Sequence, residues 1–183
     1  MSILQKSELI QKYKSILVSN SLAFNRDYQP LLTYLIQSSF FDMPASTRFH
    51  LNCPGGLAQH ILNLHECLLK LLELNPVPSK LSSDVFDPFI VSIAHDMNKI
   101  DGYKISERNS KINGQWVQLK YYDHNGSKDM YPHNLVSLDA MRRYVSLSKA
   151  EELAIFHAEG NFSTFMEREL LNAQGNAFRF NIS

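Results

Sequence analysis

The stretch FIVSIAHDMNKI, residues 89–100, decides how the chain is expected to fold. Its first six residues are apolar apart from Ser92, which is typical of a helix that is buried on most sides. The polar residues His95, Asp96 and Lys99 follow at once. A carboxylate in apolar surroundings is costly unless it is paired or binds a cation, so this placement favours a metal site.

Helical periodicity continues on both sides of this stretch. Either Asp84 or Asp87 can cap the helix that contains it, and Ser148 with Glu151 has the spacing of a capping box. Apolar residues at helical spacing predict further helices at about 7–19, about 30–41, 57–74, along 135–144, after Ser148 and over 163–172.

The apolar period changes from helical to alternating after Gly102. Alternating residues flank the turn-rich stretch 109–114, which predicts a small β-hairpin insertion at about 102–123. The expected fold class is therefore all-α, a helical bundle with this one hairpin. We expect a single domain over 1–183, because no internal repeat or linker interrupts the pattern.

Composition and charge restrict the kind of function. The 183 residues are 44% hydrophobic and 20% charged, with 18 Lys+Arg against 18 Asp+Glu, which is the profile of one soluble globular domain. This neutrality argues against strong general nucleic-acid binding and favours a small substrate. Residues 1–20 lack the apolar core of a signal peptide or membrane span, and Cys53 and Cys67 are too few for a disulfide framework. We therefore expect a cytoplasmic protein with no membrane partner, and leave open whether it forms a homo-oligomer.

Histidines on several predicted helices add to the signal of the His95-Asp96 pair. His60 lies one turn inside a helix that follows a double glycine, His133 opens another helix, and His157 lies near the end of a third. A His-Asp dipeptide also occurs by chance, and a single histidine on an apolar helix is more often a core residue than a ligand. Taken together, imidazoles with a carboxylate suit Mn, Fe, Co, Ni or Zn.

Two motifs resemble the HD-domain superfamily of metal-dependent phosphohydrolases. They are PGGLAQH at residues 54–60 and AHDMNKI at residues 94–100. The sequence is more closely similar to a subgroup of small HD proteins common in phages and the bacteria that carry them. That likeness rests on FFDMPASTRFH at 40–50, the Pro132-His133 helix start and LSKAEELAIFHAEGN at 147–161.

The resemblance implies one HD-type domain, with a metal-site core at about 34–162, in a bacterial or phage-infected cytoplasm. It implies that His60, His95 and Asp96 bind one or two divalent transition metals. His133 and His157 would bind a second metal or the scissile phosphate. The implied reaction is attack of a metal-activated water on the phosphorus of a small nucleotide, such as a (deoxy)nucleoside phosphate.

Asp96 and Lys99 are the catalytic candidates. Asp96 would ligate the metal and orient the water, and Lys99 would stabilise charge on the phosphoryl group. An exposed lysine on the surface is the equally weighted alternative for Lys99. The candidates for substrate binding, besides Lys99, are Arg48, His50, Tyr103, Lys104 and Trp116. Packing of the hairpin aromatics against the bundle is the alternative to a substrate role.

One departure from the family pattern concerns the final metal ligand. Superfamily members usually contribute an Asp from a C-terminal helix, whereas residues 170–183 contain no acidic residue. Glu159, Asp139 or a water would then substitute, or metal binding is weaker, or activity has been lost while the fold remains. The alternative functions are an HD-type nuclease, a phosphodiesterase for cyclic or short oligonucleotides, and a non-catalytic nucleotide-binding protein.

Overall fold

A computed structural model describes residues 4–74, 85–125 and 133–158. Within these ranges the elements are α1 (Lys6–Phe24), α2 (Gln29–Gln37), α3 (Gly56–Leu74), α4 (Pro88–His95), a 3₁₀ turn (Met97–Lys99), β1 (Tyr103–Ile112), β2 (Gln115–His124), α5 (His133–Arg142) and α6 (Lys149–Phe156). The helix predicted over 163–172 lies outside the described residues. No helix in the described ranges combines the length and the apolar content that crossing a membrane would require.

The expected all-α class is wrong, because the chain combines helices with a substantial antiparallel hairpin. β1 and β2 are ten residues each and pair continuously, beginning with Tyr103 opposite His124. Asn113 (φ 50°) and Gly114 (φ 85°) form the turn, and two consecutive residues of positive φ suit a two-residue hairpin loop. The fold is therefore mixed: what was expected as a small insertion in a helical bundle is a complete two-stranded sheet.

The core is built around an aromatic cluster at the centre of the helices. Tyr13 of α1 lies edge-on to Phe40 and Phe41, with ring centroids 5.3 and 5.1 Å away, and contacts Phe89 of α4. Its buried hydroxyl donates a hydrogen bond of 2.9 Å to the carbonyl of Ala58 in α3. These contacts join α1, α3 and α4 in one apolar interior.

Helix α4 carries the apolar part of the stretch FIVSIAHDMNKI. Asp87 caps it by accepting hydrogen bonds from the backbone N–H groups of Phe89 and Ile90, while Asp84 lies outside the described residues. The helix ends at His95, and Asp96 has left helical geometry with φ −122° and ψ 19°. The His-Asp pair is therefore at the C-terminal end of the apolar helix and not within it.

Glycines at the start of α3 allow a loop to approach this helix closely. Gly55 has φ +76°, a conformation that side chains disfavour. A Cβ atom on Gly56 would lie 2.0 Å from the carbonyl oxygen of Leu51. Only glycine therefore lets the loop of residues 45–52 pack directly on the first turn of α3, one turn before His60.

A buried ion pair connects distant helices at the other end of α4. Arg26, which follows α1, donates two 2.8 Å hydrogen bonds from Nη1 to the Glu151 carboxylate, which is fully buried. Glu151 also accepts from the backbone N–H of Asp87 and completes the predicted capping box with Ser148. The N-terminus of α4 is thus fixed to α6 and to the segment after α1.

Candidate metal centre

Two histidines and an aspartate from different elements converge at the C-terminal end of α4. His60 comes from α3, His95 is the last residue of α4, and Asp96 follows it. One donor atom from each lies within 4.8 Å of the others. Among the described residues, these three form the one group of metal-ligating side chains that are close enough to share an ion. The closest pairs are His60 Nε2 to Asp96 Oδ2 at 3.3 Å and His95 Nε2 to Asp96 Oδ1 at 3.9 Å.

The two oxygens of Asp96 have different surroundings. The Asp96 side chain is only 6% exposed. Its Oδ1 accepts from Lys99 Nζ at 2.8 Å, whereas Oδ2 is buried and lacks a hydrogen-bond partner of good geometry among the described residues. A buried carboxylate oxygen without a donor is costly. A cation between Oδ2 and the imidazole of His60 would remove that cost.

Asp96 is ionised in this environment. Burial by itself would raise the pKa of Asp96, but contact with His60 and the charges of Lys99 and His95 outweigh it. The pKa is therefore held well below its usual range. A carboxylate must be deprotonated to ligate a metal, so Asp96 is in the form that binding requires.

The donor set fits a transition-metal ion. Two imidazoles and one carboxylate are the ligands that zinc, iron and manganese accept, while magnesium and calcium prefer oxygen alone. Ligands about 2.1 Å from an ion lie at most about 4.2 Å apart. The present limit of 4.8 Å therefore calls for an inward movement of well under 1 Å by the side chains. The C-terminus of α4 adds partial negative charge beside the group, which also favours a cation.

Lys99 is directed at the triad by the short turn that follows α4. The 3₁₀ turn Met97–Lys99 brings its ammonium back to Asp96, and the same Nζ donates to the carbonyl of Ala45 at 3.1 Å. Ala45 was not singled out from the sequence, because a backbone acceptor leaves no signal in residue types. With its side chain 23% exposed and its charge paired, Lys99 is not a free surface lysine.

His50 lies against the first histidine of the triad. Its ring centroid is 4.8 Å from that of His60. The loop that carries it is held by Ser46, whose hydroxyl donates to the His50 carbonyl and accepts from the Phe49 N–H. Burial, followed by the nearby charges of His60 and Lys99, lowers the pKa of His50. His50 therefore presents a neutral imidazole beside the triad.

The structure does not bring His133 or His157 into the triad. The Nδ1 of His133 lies 2.8 Å from Nδ2 of Asn98, in the 3₁₀ turn next to Asp96. His157 directly follows α6 as its C-cap residue, with its ring against Phe156, and burial lowers its pKa. Their role toward a second metal or a phosphate stays a prediction. Asn98, which links His133 to the turn, was missed because an isolated Asn has no distinctive pattern.

The three substrate candidates on the hairpin occupy different places. Tyr103 is at the base of β1, where burial and then the charge of Asp96 raise its pKa, so it lies near the triad. Lys104 is the next residue along β1 and therefore belongs to the opposite face of the hairpin. Trp116, 73% exposed, pairs with Lys111 at the far end of the ladder, about 25 Å along the strand from Tyr103.

The remaining candidates lie outside the metal group. Arg48 lines a cavity with Arg108 and Tyr121 and is not one of the three donor residues. Asp139, one of the proposed replacement ligands, is exposed and paired with Arg143 at 2.6 Å. Glu159, the other, lies outside the described residues.

Comparisons with known proteins add no relative to this picture. Neither the protein-family models nor the curated proteins match the sequence, and no solved structure matches the fold. The group of His60, His95 and the buried Asp96 could bind a metal ion, and its geometry is the basis for assigning a function.

Proposed function

We propose that the protein is a metal-dependent phosphohydrolase that acts on a small nucleotide. The observation that carries the proposal is the buried Asp96 Oδ2, which faces His60 Nε2 at 3.3 Å with no other donor of good geometry among the described residues. The likeness of the two motifs to HD-domain proteins gives the reaction class. His60, His95 and Asp96 would hold the ion.

The chemistry that such an ion supplies is a water of lowered pKa and polarisation of a phosphoryl oxygen. Asp96 serves as a charged ligand through Oδ2. Lys99, fixed by Asp96 Oδ1 and the Ala45 carbonyl, keeps a positive charge beside the phosphoryl oxygens as they gain negative charge. His50 contributes a neutral imidazole for hydrogen bonding to the phosphate, and Tyr103 lies near Asp96.

The arrangement favours one ion over two. The Lys99 ammonium lies at Asp96 Oδ1, the position from which a second cation would share the carboxylate. Two positive charges in contact with the same oxygen would repel each other at short range. The proposal is therefore a mononuclear centre that uses Oδ2.

Metal content and turnover test the proposal together. Wild-type protein, Asp96→Asn and His60→Ala are purified, incubated with manganese, desalted and measured by elemental analysis. Asp42→Asn is the matched control, because Asp42 is an exposed carboxylate paired with Lys6. We expect metal in the wild type and the control, and loss from both site variants.

Turnover is then measured on nucleoside mono-, di- and triphosphates with the metal-loaded proteins. Hydrolysis by the wild type and the control, but not by Asp96→Asn, is the expected result. Equal metal content in wild type and Asp96→Asn would refute the metal centre. Specific metal uptake with no hydrolysis of any nucleotide would refute the catalytic proposal and leave a nucleotide-binding protein.

A further inference from the structure

A cavity separate from the metal group lies between the loop of residues 47–52 and the hairpin. Its volume is about 390 Å³, and it is lined by Thr47, Arg48, Asn52, Arg108 and Tyr121. The loop side is braced by a 2.8 Å hydrogen bond from Asn52 Nδ2 to the Thr47 carbonyl. We call these five residues the arginine cleft.

The two arginines of the cleft have no acidic partner among the described residues. By contrast, Arg26, Arg142 and Arg143 each pair with a carboxylate at 2.6 to 2.8 Å. Both described arginines that lack an ion pair therefore line the same cavity. In a chain of formal net charge +0, this is a local concentration of uncompensated positive charge.

Arg108 is held in place by the strand beside it. Its guanidinium carbon lies 5.3 Å from the ring centroid of Tyr121, a cation–π contact. The register places Tyr121 opposite Ser106, so Arg108 and Tyr121 belong to the same face of the hairpin. A guanidinium positioned in this way matches the geometry of a phosphate, which accepts paired N–H groups.

The loop that forms one side of the arginine cleft leads directly to the metal centre. Arg48 is two residues from His50, whose ring contacts His60. On the hairpin, Arg108 and Tyr121 share the face of Lys104, which is opposite to the face of Tyr103, so the link to the metal centre runs through the loop. Phe49, 85% exposed between Arg48 and His50, offers an aromatic face to a nucleobase.

We propose that the arginine cleft binds a second phosphate group of the substrate while the scissile phosphate lies at the metal centre. This proposal rests on the proposed function and narrows its substrate to nucleotides with two separated phosphates, such as a 5′-phosphorylated dinucleotide. Arg48 and Arg108 bind the distal phosphate, and Tyr121 positions Arg108.

Binding to a catalytically disabled protein tests the cleft without turnover. The Asp96→Asn protein, stripped of metal, is titrated with the 5′-phosphorylated dinucleotide pdTdT at low salt. Adding Arg48→Ala or Arg108→Ala is expected to raise Kd on the order of tenfold, which corresponds to the loss of a charged hydrogen bond. The same variants should lower the salt dependence of binding. Arg143→Ala is the matched control and leaves Kd unchanged. Unchanged affinity in both cleft variants overturns the proposal, whatever the outcome for catalysis.

Tyr121 variants separate positioning from general damage to the hairpin. Tyr121→Phe keeps the ring that holds Arg108 and is expected to bind pdTdT like the parent protein. Tyr121→Leu removes the ring and is expected to raise Kd severalfold. Equal binding by both variants would refute the positioning role.

Steady-state kinetics of the metal-loaded enzyme connect the cleft to the substrate. Arg48→Ala and Arg108→Ala are expected to raise KM for pdTdT about tenfold with little change in kcat. They leave KM for p-nitrophenyl phosphate, which carries one phosphate, unchanged. An unaltered KM for pdTdT, despite weakened binding to the disabled protein, would refute the shared substrate and show a separate ligand in the cleft.

Discussion

Lys99 Nζ lies 2.8 Å from Oδ1 of Asp96, three residues earlier in the chain, and the two side chains meet in a nearly buried position. The pair divides the carboxylate into one oxygen neutralised by an ammonium and one that faces His60. Asp96 is thereby kept ionised without being fully satisfied. This asymmetry is the physical basis for a site that accepts one cation.

Replacement of Lys99 by Met should destabilise the metal-free protein more than the metal-loaded one. Without the ammonium, Asp96 is a buried charge with weaker compensation, which costs about 1–3 kcal/mol of unfolding free energy. Bound metal restores the compensation and stabilises the native state. Thermal unfolding with and without manganese measures the difference, and Lys14→Met, on an exposed position of α1, is the control. A loss of Tm that is the same with and without manganese would contradict this account.

Metal stoichiometry should be one ion per chain in the wild type. The ammonium of Lys99 keeps a second cation away from Asp96 Oδ1, so saturation with manganese fills a single site. Native mass spectrometry counts the bound ions directly. Two tightly bound ions in the wild type would show that Lys99 moves aside on loading.

Gly56→Ala should lower stability and disturb the metal site together. The added Cβ would lie 2.0 Å from the Leu51 carbonyl, so the backbone of the loop must move away from α3. Overpacking of this kind costs about 1–3 kcal/mol, which corresponds to a Tm lower by several degrees. Manganese affinity is expected to fall as well, since the loop holds Lys99 through Ala45. Ala58→Gly, two residues further along the same helix, is a control that changes size without a clash. Native manganese affinity in Gly56→Ala would show that the loop is not coupled to the site.

The buried Arg26–Glu151 pair should contribute far more to the free energy of unfolding than the exposed Arg142–Glu152 pair. Glu151→Ala leaves a largely buried guanidinium and the Asp87 N–H without their acceptor, a loss of about 3–5 kcal/mol. Glu152, one residue on, pairs with Arg142 at the surface, so Glu152→Ala should cost less than about 1 kcal/mol. Urea unfolding of the two variants gives the comparison, and similar losses for both would mean that burial of the pair contributes little.

Stability should fall as the pH decreases below about 6.5. Burial lowers the pKa of His65, which lies against Phe89, and it lowers the pKa of His50 and His157 in the same direction. The unfolded chain then binds protons at a pH where the folded chain does not. Each histidine therefore lowers the free energy of unfolding by at most about 1.4 kcal/mol for each unit by which the pH decreases. The fall begins at the unfolded pKa and ends below the folded one.

Thermal unfolding of metal-free protein over about pH 8 to pH 5 tests this dependence. His65→Gln should show a shallower decline than the wild type, because one of the three groups is removed. An identical slope in His65→Gln would show that His65 remains protonated to the same extent in both states.

Local patterns in the sequence predicted the elements that are stabilised locally. The long apolar stripe over 57–74 corresponds to α3, and the Ser148 and Glu151 spacing gives the capping box of α6. The hairpin position also followed from alternation and turn residues. The expected fold class was nevertheless wrong, because a hairpin of two ten-residue strands makes the fold mixed and is not a small insertion in an all-α bundle.

Features that depend on tertiary contacts had no local signal. The sequence of α4 continues to look helical through Lys99, yet the helix ends at His95 and a 3₁₀ turn follows, where Lys99 pairs with Asp96 and Ala45. Arg26 pairs with Glu151, which is 125 residues away in the sequence, and periodic patterns predict only contacts between residues that are near in sequence. His95 and Asp96 were singled out because a carboxylate in an apolar helix needs a partner, whereas His60 was assigned from the resemblance of residues 54–60 to the HD-domain pattern.

The Arg26–Glu151 ion pair at the N-terminus of α4 also affects the opposite end of that helix. The eight residues of α4 span about 12 Å. Arg26 and Glu151 fix the N-terminal end of this helix, and the donors His95 and Asp96 lie at its C-terminal end. The donors are therefore in position before an ion arrives, and loading does not have to be coupled to folding. Manganese should bind with a heat-capacity change near zero, and exchange between ions should proceed without opening the fold.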